Sequence, residues 1–347
     1  MRATSRTLPR SLDRPGAAGL PAEAGHPGAA PRLLSVPRGL AYAAFAAVSW
    51  GTAGAAATLL HQFSGLGPFA ITFWRFSLGA LLLLAGRIRR LPRWRQLRRE
   101  WPWLLATAAG MCVFHVCYQT AIVLSGLAVG TAVTLGAAPV LTALAARLLF
   151  GERIGRGGAT AVLLAVGGLL LLAFGGAGAG TASGGTAPLW GYLAALGSAA
   201  GLGATNLLSQ FQAQTQAQAG RPGGSGLSAP DRAAGGFAVG VVLLLPVLPF
   251  VQLLPTGGRW VEAYGLIAFL GLVPSALAYA LMFRSLTVVS ATTVTAIAML
   301  EPVAALLLGA TLLGERLTAP ALAGTGVLLL AVLLLALAER RRPGRPG

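Results

Sequence analysis

A chain of 347 residues in which 55% of side chains are hydrophobic and only 10% are charged lies far from the roughly 25% charged residues of soluble domains. Its apolar residues come in long blocks, each near the roughly 20 residues that a helix needs to cross a hydrocarbon core of about 30 Å. This excludes a disordered or collagen-like chain despite 48 glycines. The formal charge of +17 would suit a nucleic-acid partner, but all 26 basic residues are arginine, and their positions point to a lipid bilayer instead.

Residues 1–38 carry Arg2, Arg6, Arg10, Arg14, Arg32 and Arg38 among Pro, Gly, Ala and Ser. With no apolar run before Gly39, the stretch does not read as a cleavable signal peptide. It is expected to be a disordered cytoplasmic tail, with Val36 an alternative start. Ten spans are expected near 39–60, 67–86, 102–121, 127–149, 157–175, 189–209, 233–254, 263–283, 290–313 and 318–338, followed by a basic cytoplasmic tail over 339–347. Links as short as Gly314-Glu315-Arg316-Leu317 force neighbouring helices antiparallel. Cys112 and Cys117 share one apolar stretch, about 140° apart around a helix, and read as small buried apolar side chains that do not bridge.

With the N-terminus inside, 22 arginines fall in the tails and inner loops, and only Arg259 and Arg316 fall in outer ones. Arg75 and Arg147 lie within spans, the latter close enough to an end to snorkel. This asymmetry predicts an even number of spans with both termini cytoplasmic, in an inner membrane. The halves also repeat. PVLTALAARLLFGER (139–153) matches PVAALLLGATLLGER (302–316) at an offset of 163, and Gly39 and Gly51 match Gly191 and Gly203 at an offset of 152. The 11-residue difference falls naturally in the polar linker 211–232. A period of five spans inverts the second half relative to the first. The fold class is therefore all-α integral membrane, ten helices in two inverted five-helix repeats over 39–175 and 189–338, with a site expected near the midplane between them.

Each repeat ends in Pro-(x)11-Gly-Glu-Arg, the first span carries Ser49-Trp50-Gly51, the eighth reads GLVPSALAYAL, and the ninth carries LEPV with Glu301-Pro302. Jointly these features resemble the EamA-type permeases of the drug/metabolite transporter superfamily, over about residues 38–338. The resemblance implies a proton-linked or facilitative carrier that exports amino acids or other small metabolites.

Ionisable groups at bilayer depth are functional candidates by default. Glu301 is twelfth of 24 residues in the ninth span, and its repeat mate is Ala138, so the fold does not demand a carboxylate there. Burial penalises its charged form, which suits a proton-coupling role; a buried, satisfied Glu is the alternative. Pro302 beside it frees the Ala298 carbonyl. Arg75 could hold a substrate carboxylate or neutralise Glu301 as a structural pair. His115 and Gln119 share a helix face with Tyr118 beside them, and line either a polar cavity or a packed interface. Asn206 and Thr295 read equally as ligands or as inter-helix hydrogen-bond glue. Trp50 and Tyr279 could wall a pocket or simply pack. Glu152 and Glu315, with Pro139 and Pro302 in the same repeated helices, read as structural caps or gates.

With no lysine there is no Walker-type phosphate loop. No metal-ligand spacing is present, and His115 has no G-x-S-x-G partner. No enzymatic activity, cofactor or metal is expected; the partners are a small-molecule substrate and the lipid bilayer. The alternatives are an intramembrane enzyme, such as a protease or lipid-modifying transferase, and a non-transporting sensor. Substrate, flux direction, coupling ion and oligomeric state are left open by the residues.

Overall fold

A computed structural model describes residues 34–87, 94–150, 160, 163–168, 170–171, 188–218, 227–289, 294, 297–298, 300–315 and 318–340. Among these every regular element is helical. In chain order they are α1 (Val36–Ser64), α2 (Pro68–Ala85), α3 (Trp94–Ser125), α4 (Leu127–Phe150), α5 (helical residues 163–168 and 170–171), α6 (Pro188–Gln218), α7 (Ala229–Leu244), α8 (Trp260–Ser285), α9 (Leu300–Thr311) and α10 (Ala319–Arg340). Five are long and apolar enough to cross a membrane by themselves: α1, α2, α3, α8, and α7 with its extension to Phe250. Shorter apolar stretches lie in α4, α9 and α10.

Several helices outrun their hydropathy windows, for local reasons. The first turns of α3, WRQLRRE, are too polar to count as a span, yet Arg, Gln, Leu and Glu are good helix formers. α6 likewise continues through Gln218, and α7 begins at Ala229 on the N-cap of Ser228, whose side chain accepts from the Asp231 amide. Much of the expected linker 211–232 is therefore helix, and its residues 219–226 lie outside the described ones. The expected span 233–254 ends early as α-helix. Pro246 and Pro249 lack the amides that α-helical bonds need, and the chain tightens to a 3-10 turn over Leu245–Phe250.

The two halves pack reciprocally. α1 lies on α8 and α9, the third and fourth helices of the second half, and α6 lies on α3 and α4, the third and fourth of the first. α2 and α7 pack on each other, and each packs on the third helix of the opposite half. The glycines show that this pseudo-symmetry holds residue by residue. A Cβ on Gly51 would meet the Glu301 carbonyl oxygen at 2.7 Å, and one on Gly203 would meet the Ala138 carbonyl oxygen at 3.6 Å. Gly39 abuts Val288, and Gly191 abuts Ser125. Glu301 and Val288 are Ala138 and Ser125 advanced by 163, so the sequence repeat is also the packing repeat. Small residues at these crossings let backbones approach closely where lipid offers no hydrophobic drive between helices; α1 buries mainly Ala, Gly and Ser.

Candidate functional site

The site is organised by a break in α8. After Trp260–Leu270 the helix widens into a π turn over Gly271–Leu277 before resuming as α-helix over Ala278–Ser285. Pro274 has no amide to give the Leu270 carbonyl, and the Ser275 hydroxyl donates to that oxygen instead at 2.8 Å. The Pro274 carbonyl accepts from the Trp50 indole at 2.9 Å, tying α1 to the break. Single wide turns of this kind are frequent at functional positions.

Ser275 then accepts from Nε of Arg75 on α2 at 3.0 Å. Arg75 is only 4% exposed, yet its terminal nitrogens donate to no described residue. Arg75 and Glu301 form no ion pair; each feels the other's charge, and both act on Tyr118 and Tyr279. His115 is buried with both ring nitrogens unpartnered, and Gln119 is buried with its amide nitrogen unpartnered. Native proteins rarely leave such groups unmet, each costing about 1–3 kcal/mol. Tyr118 is satisfied by Thr131 at 2.8 Å. His115 lies against Phe114 and edge-on to Phe76, and Tyr279 packs edge-on against Trp50 at 5.3 Å and Phe237 at 5.4 Å.

The structure thus brings Arg75, His115, Tyr118, Gln119, Trp50, Tyr279 and Glu301 to one neighbourhood on α1, α2, α3, α8 and α9. Trp50, Tyr279 and Glu301 are half-buried, the others fully so. Asn206 is not brought in: it is exposed on α6 with no described contact to this group. Thr295 and Glu152 lie outside the described residues. Pro302 is buried in α9 and Pro139 is half-buried in α4. Glu315 accepts from the amides of Leu127 and Ala128, the latter at 2.9 Å, and so caps α4 from the opposite half. Among the described residues no group of three His, Cys, Asp or Glu side chains could hold a metal ion.

Sequence reasoning missed Ser275, Thr131 and an ion pair of Arg87 with Asp231 that joins the end of α2 to the start of α7. The clue for Ser275 was its place directly after a mid-span proline. For Asp231, the clue was the Ser-x-x-acid pattern that starts α7.

The profile of the EamA-like transporter family matches residues 37–174 and 189–337. The uncharacterized transporter YwfM of Bacillus subtilis (strain 168) is 28% identical over 309 residues, covering 86% of this chain and 93% of that protein. A solved crystal structure aligns with 89% of this chain and 100% of its own at 21% identity, with a TM-score of 0.58. That last likeness is one of fold.

Proposed function

The chain belongs to the EamA-like transporter family, and from that premise we propose that it exports a small carboxylate-bearing metabolite, such as an amino acid, by proton-coupled alternating access. The observation that carries this reading is the buried Arg75, held at Nε by Ser275 while its terminal nitrogens donate to no described residue. A guanidinium fork of this kind matches a carboxylate with two parallel hydrogen bonds. His115 and Gln119 supply further unmet polar groups on the adjacent helix face. Glu301, unpaired but within reach of the Arg75 charge, is free to take a substrate ammonium when ionised and to release it on protonation. One proton entering then accompanies one substrate leaving.

The inverted halves supply the two states: the site lies where they meet, and exchanging their conformations would open it to the other side. The arginine census supports an inner membrane with both termini on its cytoplasmic side.

Proteoliposomes loaded with a panel of labelled amino acids test this reading. An inward proton gradient is expected to accelerate efflux of one class of substrate. Glu301→Gln should lose the acceleration and retain substrate-for-substrate exchange. Gradient-driven efflux that is unchanged in Glu301→Gln would rule out the coupling role, and failure to carry any metabolite of the panel would overturn the proposed cargo.

A further inference from the structure

α3 enters the bundle through the stretch WRQLRREW, Trp94–Trp101. Arg95, Arg98 and Arg99 are exposed there, and among the described residues no ion pair joins them to an acid. The one acid of the stretch, Glu100, is buried and accepts from the Gln212 amide of α6. The exposed face is therefore cationic. Trp94 and Trp101 are exposed beside these arginines, 73% and 45%, and tryptophan gathers at the headgroup level of membranes.

Directly inward lies a cavity of about 680 Å³ between α3, α4 and α6, walled by Trp103, Leu144, Leu148, Ala204, Leu207 and Phe211 among others, all of them apolar. Leu144, Leu148 and Phe211 are also exposed, so the cavity opens on the flank of the bundle. At the roughly 30 Å³ that a water occupies in the liquid, it has room for about twenty methylene-sized groups, the size of one long acyl chain. Arg99 stands one turn before Trp103 on the same face of α3, about 6 Å nearer the surface, and Arg95 one turn further. The cavity is not a by-product of the repeat. The mates of Leu207 and Leu208 in the other half are Ala55 and Ala56, both buried, and there Gly51 packs directly on Ala304.

We propose that this is a binding site for an anionic phospholipid, with the headgroup phosphate on Arg99 and Arg95 and one acyl chain in the α3–α4–α6 cavity. Arginine suits a phosphate through its planar fork, and a basic mouth on an apolar slot discriminates anionic from zwitterionic lipids of equal chain length. The proposal needs only that the chain sits in a bilayer, and its test does not read transport.

The test is native mass spectrometry of the full-length protein, titrated with dioleoyl phosphatidylglycerol, dioleoyl phosphatidylcholine and glycerol phosphate. Phosphatidylglycerol should bind in preference to phosphatidylcholine. Arg95→Ala/Arg99→Ala should lose about 25-fold in phosphatidylglycerol affinity, about fivefold per arginine, and less in phosphatidylcholine affinity, so that the preference between the two shrinks. Ala204→Phe, which narrows the cavity, should weaken both lipids, and Arg259→Ala at the opposite end should change neither. Equal binding of the two lipids, an unchanged preference in the double variant, or unchanged binding in Ala204→Phe would each overturn the proposal. Displacement of the lipid by glycerol phosphate would do the same by showing a free-anion site. If a variant does not fold, lipid co-purified with the unaltered protein decides: without enrichment of anionic phospholipid the site is refuted.

Discussion

Arg75 carries five N–H donors and gives one of them to Ser275. A purely structural arginine in so dry a place would be expected to spend its remaining donors on an acid, and Glu301 is near enough to be felt yet is not paired with it. The fork is thereby oriented without being consumed. Arg75→Lys keeps the charge and loses the two-pronged geometry, so affinity for a carboxylate substrate should fall about ten- to hundredfold, the worth of a hydrogen bond to a charged group. Arg75→Ala should lose carboxylate recognition altogether. Substrate-induced shifts in melting temperature measure both variants, and a shift that survives in Arg75→Ala would make the residue structural. The charged members of this neighbourhood were legible in the sequence because a charge at bilayer depth is rare and costly. Ser275 was not, since serine is ordinary inter-helix glue. Asn206 was ambiguous for the same reason: a polar residue in an apolar run does not tell which way it faces, and in the fold it is exposed.

At the scale of elements, the turn from α3 to α4 shows how the two halves lean on each other. Gly126 alone joins the helices, at a φ of 87° that only glycine adopts without strain. A glycine has no side chain with which to cap α4, and the orphaned amides of Leu127 and Ala128 turn to Glu315. Its carboxylate sits where the helix dipole favours a negative charge, and Gly309 leaves it room: a Cβ there would lie 2.7 Å from the Glu315 carboxylate. Glu315→Ala should cost about 2 kcal/mol and raise hydrogen exchange at the Leu127 and Ala128 amides ahead of the rest of α4. Unchanged protection of those two amides would show that the cap contributes nothing. The repeated Gly-Glu-Arg was visible in the sequence; its receptor was not, because Glu315 and Leu127 are 188 residues apart.

At the scale of the whole molecule, the halves are copies that meet through matched glycines, and the two matches differ in tightness. A Cβ at Gly51 would strike Ala304 at 2.6 Å and the backbone oxygen of Glu301 at 2.7 Å. One at Gly203 would meet the Thr142 hydroxyl at 2.8 Å, with backbone no nearer than 3.6 Å. The hydroxyl can rotate away at the cost of its bond to the Ala138 carbonyl, and a helix backbone cannot. Gly51→Ala should therefore destabilise by about 1–3 kcal/mol, the range of overpacking, and Gly203→Ala by clearly less. Melting of the two purified variants in one detergent compares them, and equal losses would show that the two crossings are equally tight. Because Gly51 backs the carbonyl of Glu301, its variant should also disturb the proton coupling proposed for Glu301, whereas the Gly203 variant acts beside Ala138, which has nothing to titrate.

The sequence by itself determined the membrane class, the ten spans, the arginine asymmetry and the inverted repeat. Each of these is a local pattern, of hydropathy, charge or spacing, that can be read without knowing what touches what. The break in α8 was half visible in GLVPSAL, since a mid-span proline must free a carbonyl. Only the tertiary structure decided what uses that break: Ser275 turning Arg75, Trp50 closing on Pro274, and His115 and Gln119 left unmet across from them. It also decided that a cavity lies at the α3–α4–α6 crossing, while at the matching crossing Gly51 packs directly on Ala304. The physical reason is the same throughout. In a bundle of nearly uniform apolar helices, the rotation of each helix is set by the small residues at its crossings, and a rotation of one residue moves a polar group from the site to the lipid.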